Sequence, residues 1–187
     1  MFPLSLLPLP GELVPLHIFE PRYRQLLLDA ENNDIPFGIY FNHEINLQKI
    51  GSLMKLESVI KRYPGGESDI VVKCNEIFML ETLYRTFKTK MYPGGEVQIL
   101  NEEALLIPGQ GLYDLFEEYM VHRNITNHFT AFDFYQIANE LNLDVHDRYK
   151  FLTLPPDKKE TFLITHLKFQ LHILKQEERS KNVFHLN

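Results

Sequence analysis

The apolar pattern of this chain changes its period once, and that change narrows the folds open to it. Over residues 1–107 short runs of β-forming residues alternate with turn signals. Pro108-Gly109-Gln110-Gly111 marks a boundary. After it, apolar residues recur at helical spacing. Strands first and helices afterwards predict an α+β fold, not an alternating α/β one. The expected parts are a β-rich body over 1–107 and an α-helical body over 108–187.

One helix interrupts the β part. Pro21 suits the first helical position, because proline fixes φ and has no N–H to leave unbonded. Glu20 before it places negative charge at the positive end of the helix dipole. Tyr23, Leu26, Leu27 and Ala30 then share one face, with Arg22, Arg24 and Gln25 off it. Asn32-Asn33-Asp34 ends the helix.

The strands read as follows. Phe2–Leu9 is an edge segment broken by proline, and Leu13–Phe19 is extended. Phe37–Phe41 is a short buried strand. Met54, Leu56, Ser58 and Ile60 alternate along a longer one, sharing a face. Asp69–Cys74 returns, and Ile77–Lys90 is a second long β run. Val97–Leu100 and Ala104–Ile107 close the β part. The pentapeptide Tyr-Pro-Gly-Gly-Glu occurs twice, at 63–67 and 92–96, and predicts two similar hairpin tips. Neither copy has the Lys-Ser/Thr and following helix of a phosphate-binding loop.

Beyond the boundary, Leu112, Leu115, Phe116 and Tyr119 mark a helix over 112–123. Capping pairs at Thr130/Asp133, Asp144/Asp147 and Asp157/Glu160 predict helices near 131–141, 145–153 and 158–178. Phe162, Leu163, Leu167, Leu171 and Leu174 give the last one its buried stripe.

Several chemistries lack their residues. The net charge of −6 has no basic run against it, whereas nucleic-acid binding rests on clustered cations. A single cysteine, Cys74, excludes an intrachain disulfide and fits a reducing, cytoplasmic setting. It lies among apolar neighbours and reads as a buried structural thiol. The eight histidines are scattered, with no metal-binding spacing, so no metal is expected. No serine sits in a nucleophile elbow. The apolar N-terminus has no basic leader and is interrupted by Pro3, Pro8 and Pro10, so it reads as a strand and not a signal peptide.

The candidate site is an aromatic cluster around the first helix: Phe19, Tyr23, Phe37, Tyr40 and Phe41, with Arg22 beside it. Large aromatic residues are mostly buried, so core packing is one account. The other is a groove that takes apolar side chains of a peptide, with Arg22 and Arg24 beside it either as surface charges or as carboxylate anchors.

Pro15-Leu16-His17-Ile18-Phe19-Glu20-Pro21-Arg22-Tyr23-Arg24 resembles the N-terminal domain of Lon proteases. Leu4-Ser5-Leu6, Pro10-Gly11, Pro36-Phe37-Gly38-Ile39 and Ile50-Gly51-Ser52-Leu53 continue the likeness. So does Asp147-Arg148-Tyr149-Lys150-Phe151-Leu152 followed by a long helix. The resemblance implies a PUA-like β pseudobarrel with one early helix, followed by a helical bundle. It also implies recognition of unfolded or tagged protein segments. The ATPase and Ser–Lys protease domains of Lon are separate. The expectation is therefore a stand-alone binding module or adaptor, with a protease or chaperone complex as a further partner. No enzymatic activity and no cofactor are expected. Cys74 takes a place the family usually gives to glycine, and Ile77-Phe78 replaces an Arg-Phe pair. Three other readings are a nucleic-acid-binding PUA-like protein, a small-molecule enzyme using a cleft between the two parts, and a structural subunit of a larger assembly.

Overall fold

A computed structural model describes residues 1–100, 108–125 and 132–184, with side chains up to Ser180. Ala104–Ile107, Glu102-Glu103, Thr130, His128 and His185 lie outside the described residues. The chain groups into two compact units, Met1–Asn101 with Asp144–Tyr149, and Glu102–Leu143 with Lys150–Asn187.

The first unit holds six strands and one helix among the described residues: β1 (Phe2–Leu4), β2 (Leu13–Ile18), α1 (Pro21–Asn33), β3 (Phe37–Phe41), β4 (Ile50–Arg62), β5 (Ser68–Tyr84) and β6 (Gly94–Ile99). They form one sheet in the order β1-β3-β4-β5-β2, with β6 also paired to β5. Only β1 and β3 run parallel. β1 stops at Leu4, so the segment to Leu9 is a connection and not a strand, exposed at Ser5 and Leu6 and buried from Leu7 to Leu9.

The two expected β runs on either side of Cys74 are one continuous strand, β5. Its length lets one edge serve two partners. Residues 68–73 pair with β2, and residues 78–84 pair with β6. The alternation expected along β4 fails beyond its first half. Met54 is enclosed, but Ser58 is exposed and Ile60 is 64% exposed. Register shifts at Leu53/Met54, Leu56/Ser58 and Val59/Lys61 turn the strand each time, so a strict alternation no longer maps onto one face.

The two Tyr-Pro-Gly-Gly-Glu copies adopt different structures. The first is a hairpin tip, with Gly66 at φ +92°. The second is not a tip. Gly94 and Gly95 already pair with Tyr84 and Leu83 as the first residues of β6, and the loop spans residues 85–93. A Cβ on Gly95 would lie 2.5 Å from the Thr82 carbonyl oxygen, so this glycine is required by close strand approach.

Phe78 is the wedge of the sheet. It is fully buried, clusters with Met1 and Leu80, and rests on Gly51 of the adjacent β4 and on Gly38 of β3 beyond it. Ile77, in the place of the family's arginine, is 2% exposed. α1 starts at Pro21 and buries Tyr23, Leu26, Leu27 and Ala30 as its spacing predicts. Asp34 ends it in the left-handed region.

The second unit contains α2 (Gln110–His122), α3 (Phe134–Glu140), the end of α4 (Val145–Thr153) from Lys150 onward, and α5 (Pro156–Phe184). α3 starts from a capping box between Asp133 and Gln136, three residues later than the Thr130 pairing predicts. Asp144 accepts the Asp147 backbone N–H at 2.8 Å, as expected of a cap. α5 begins at Pro156, so Asp157 lies inside its first turn and does not precede it. Phe162, Leu163, Leu167 and Leu171 form its buried stripe.

Candidate functional site

The six aromatic and basic residues singled out by sequence separate into three places. Phe19, Arg22 and Tyr23 stand together where β2 runs into α1. Phe37 lines a different cleft. Phe41 belongs to the core, and Tyr40 is half-buried at its margin. On β3, Phe37, Ile39 and Phe41 share the enclosed face, and Phe41 has no exposed surface. It stacks on His43, with centroids 5.2 Å apart, and lies 6.1 Å from the Tyr149 ring. Tyr40 packs against Met1, Phe78 and Leu80. As the protein is folded, a peptide could not touch Phe41.

The first cleft holds about 100 Å³. Phe2 and Leu4 of β1, Leu16 and Ile18 of β2, Phe19 and Tyr23 line it. β1 and β2 are the two ends of the sheet order among the described residues. Pro15 fits such an end strand, since it has no N–H to offer a ladder. Tyr23 is buried, with its ring 4.4 Å from that of Phe2. Burial pushes its hydroxyl above the usual range, against the pull of Arg22. Arg22 lies over the Tyr23 ring at 4.5 Å and bonds Glu20 at 2.8 Å. Glu20 therefore answers Arg22 and makes no side-chain cap bond. Phe19 is 57% exposed at the cleft's rim.

Sequence reading missed the polar group beside this rim. His17 and Asp69 are register partners across β2 and β5, and His17 Nδ1 lies 2.6 Å from Asp69 Oδ1. The Tyr63 hydroxyl donates to Asp69 Oδ2 at 2.6 Å. The Tyr63 bond first, and His17 second, hold the Asp69 carboxyl below the usual range. The imidazole also stacks on Phe19, with centroids 5.9 Å apart. Only strand register could have revealed this group, because 52 positions separate its members. It orients an imidazole beside an apolar cleft. Cys74, the chain's one thiol, is instead buried near the Pro8 carbonyl oxygen, and burial pushes it up to about 12.

The second cleft holds about 220 Å³ and sits under the β5–β6 loop. Leu26, Phe37, Leu53, Phe78, Phe87 and Val97 line it, with Pro93-Gly94-Gly95 as a backbone wall. The loop is tied to α1. Asp29 accepts from Lys90 and from the Tyr92 hydroxyl, each at 2.8 Å, and Gln25 accepts the Met91 N–H at 2.8 Å.

The start of α4 belongs to the same unit. Arg148 bonds Glu12 at 2.6 Å and the Leu7 carbonyl at 3.3 Å, and the Gln48 N–H donates to the Tyr149 hydroxyl at 3.2 Å. Among the described residues, no three His, Cys, Asp or Glu side chains are placed to hold a metal ion. No described helix is long and apolar enough to cross a membrane.

The first unit is thus a mixed sheet with apolar clefts at its edge and under its longest loop. The model of the ATP-dependent protease La (LON) substrate-binding domain matches residues 1–155, and the chain belongs to that family. Among solved structures, the Lon N-terminal domain protein from Xanthomonas campestris is similar at a TM-score of 0.68 and 18% identity. That match covers 88% of this chain and 95% of the other. The N-terminal domain of Mycobacterium avium complex Lon protease matches at a TM-score of 0.48 and 17% identity, over 90% and 92% of the two chains. No curated protein matches this chain significantly.

Proposed function

We propose that this protein is a polypeptide-binding module that recognises unfolded or tagged protein segments as an adaptor or substrate-recognition unit in the cytoplasm. It works by binding and has no proteolytic or ATPase activity of its own. The β-rich part, residues 1–107, carries the ligand, and the helical part, 108–187, is its companion body. Membership of a substrate-binding family supports this reading.

The observation that carries it furthest is the cleft between β1 and β2, with Phe19 at its rim. An extended segment laid along a strand at the end of a sheet gains main-chain hydrogen bonds, while a pocket selects its side chains. Phe19, Tyr23 and Arg22 are the contacts here, and Phe37 serves the second cleft. Burying one large apolar side chain of the ligand would contribute about 1.5–3 kcal/mol.

A peptide array of unfolded-protein sequences, followed by fluorescence anisotropy on the best binders, tests the proposal. Phe19→Asp should weaken binding about tenfold or more, which is about 1.4 kcal/mol, with an unchanged circular dichroism spectrum. Absence of any binding above background would sink the reading. So would steady hydrolysis of a peptide or nucleotide by the purified protein.

A further inference from the structure

The cleft under the β5–β6 loop differs from the first in size and in the charge around it. Its volume, about 220 Å³, is more than twice that of the cleft beside Phe19. It is still below the range of about 300–1,000 Å³ usual for small-molecule sites. One large side chain suits it better than a cofactor or metabolite. Its wall is kept open by glycine: a Cβ on Gly94 would lie 2.5 Å from the Phe87 ring.

The loop over this cleft is cationic in an acidic protein. Between Glu81 and Glu96 the chain carries Arg85, Lys88 and Lys90 and no acidic residue. Lys90 is engaged by Asp29. Arg85 and Lys88 are exposed, and neither forms an ion pair among the described residues. Lys88 Nζ lies 5.3 Å from the centroid of Phe87, which itself lines the cleft. The nearest acids in sequence stand at the base of the loop, where Glu96 accepts the Tyr84 hydroxyl at 2.7 Å.

We infer that this cleft takes one aromatic or large aliphatic side chain of an extended polypeptide whose flanking residues are acidic. The inference rests on the polypeptide-binding reading above and adds the chemistry of the segment. The apolar wall removes the anchor side chain from water. Arg85 and Lys88 attract carboxylates beside it and repel segments flanked by lysine or arginine, so the charge term sets selectivity more than strength. That term is exposed to solvent and must weaken with salt.

Three labelled peptides of equal length test it, each with one central Phe flanked by Glu, by Gln or by Lys. Their affinities are measured by anisotropy for the full chain and for Arg85→Gln/Lys88→Gln, at about 50 and about 300 mM salt. The Glu-flanked peptide should bind at least tenfold more tightly than the Lys-flanked one at low salt. The gap should shrink at high salt and close in the double variant, with the Gln-flanked affinity unchanged. A photo-crosslinker in place of the central Phe should mark Phe87, Tyr92 or Val97. Equal binding of all three peptides, an intact preference in the double variant, or adducts at Phe19 and Tyr23 would overturn the inference and leave the broader proposal standing. No binding by any of the three would remove both.

Discussion

The guanidinium of Arg24 fills the space that a side chain on Gly66 would need, since a Cβ there would stand 2.7 Å from Nη1. Arg24 sits on α1, and Gly66 sits at the β4–β5 tip. Arg24 donates to the Phe19 carbonyl at 2.7 Å, to the Gly65 carbonyl at 2.6 Å and to Glu67 at 3.0 Å. One side chain thus fixes the entry to the helix and the turn of a hairpin.

Gly66 is at φ +92°, where an L side chain adds strain. Gly66→Ala should destabilise by about 2 kcal/mol. Arg24→Ala should destabilise by about 1–3 kcal/mol, since hydrogen bonds to charged groups are the stronger ones. The double variant should lose less than the sum, because removing Arg24 makes room for the new methyl group. Urea denaturation of the four proteins measures all three values. Strict additivity would show that the two residues do not share this space.

Gly51 and Gly111 should respond to alanine with opposite signs. A Cβ on Gly51 would meet the Phe78 ring at 2.3 Å and the Ile39 carbonyl oxygen at 2.6 Å. Gly51→Ala should therefore destabilise by about 3 kcal/mol or more, or prevent folding. Nothing lies within 4 Å of the corresponding position on Gly111, which is in the first turn of α2. Gly111→Ala should stabilise by up to about 1 kcal/mol. Thermal unfolding of both variants gives the comparison.

The tie between α1 and the β5–β6 loop should depend on pH at both ends of the range. The Lys90 hydrogen bond first, and the Tyr92 bond second, hold the Asp29 carboxyl below its usual range. Its contribution is complete above the ordinary carboxylate value of about 3.9 and is lost as pH falls through the lower folded value. Burial first, and Asp29 second, push Tyr92 up to about 12. That contribution is complete below about 10 and is lost as pH rises toward the folded value. Urea midpoints collected from about pH 3 to about pH 11 should show both limbs. Asp29→Asn should flatten the acid limb, and Tyr92→Phe should flatten the alkaline limb above about pH 10.

Cys74 should be silent to thiol reagents until the protein opens. It is fully enclosed, and burial pushes its thiol up to about 12. Only the thiolate reacts, so little is available at neutral pH. Alkylation followed by mass spectrometry should find Cys74 unmodified in the native protein and fully modified in urea. Fast labelling in buffer would contradict its burial.

Much of the local structure was legible from residues alone. Pro21 started α1, and the Tyr23, Leu26, Leu27 and Ala30 stripe was buried as its spacing required. The cap at Asp144 and four of the five expected stripe residues of α5 followed in the same way, while Leu174 is half-buried. The site was only partly legible. Phe19 and Tyr23 did gather at a cleft, but Phe41 went to the core. An aromatic run in a strand alternates between two environments, and its composition does not say which face is open.

Local chemistry in the chain settles where backbones must bend, start or stop, because φ limits, capping groups and apolar spacing act over a few residues. Partners distant in the chain are settled by folding. The two identical pentapeptides make the point: Tyr63–Glu67 became a tip, while Tyr92–Glu96 runs into the opening of β6. The sheet decided between them, since Gly94 and Gly95 face Tyr84 and Leu83 across a ladder that neither copy could specify alone. His17 met Asp69 for the same reason, through the register of β2 on β5.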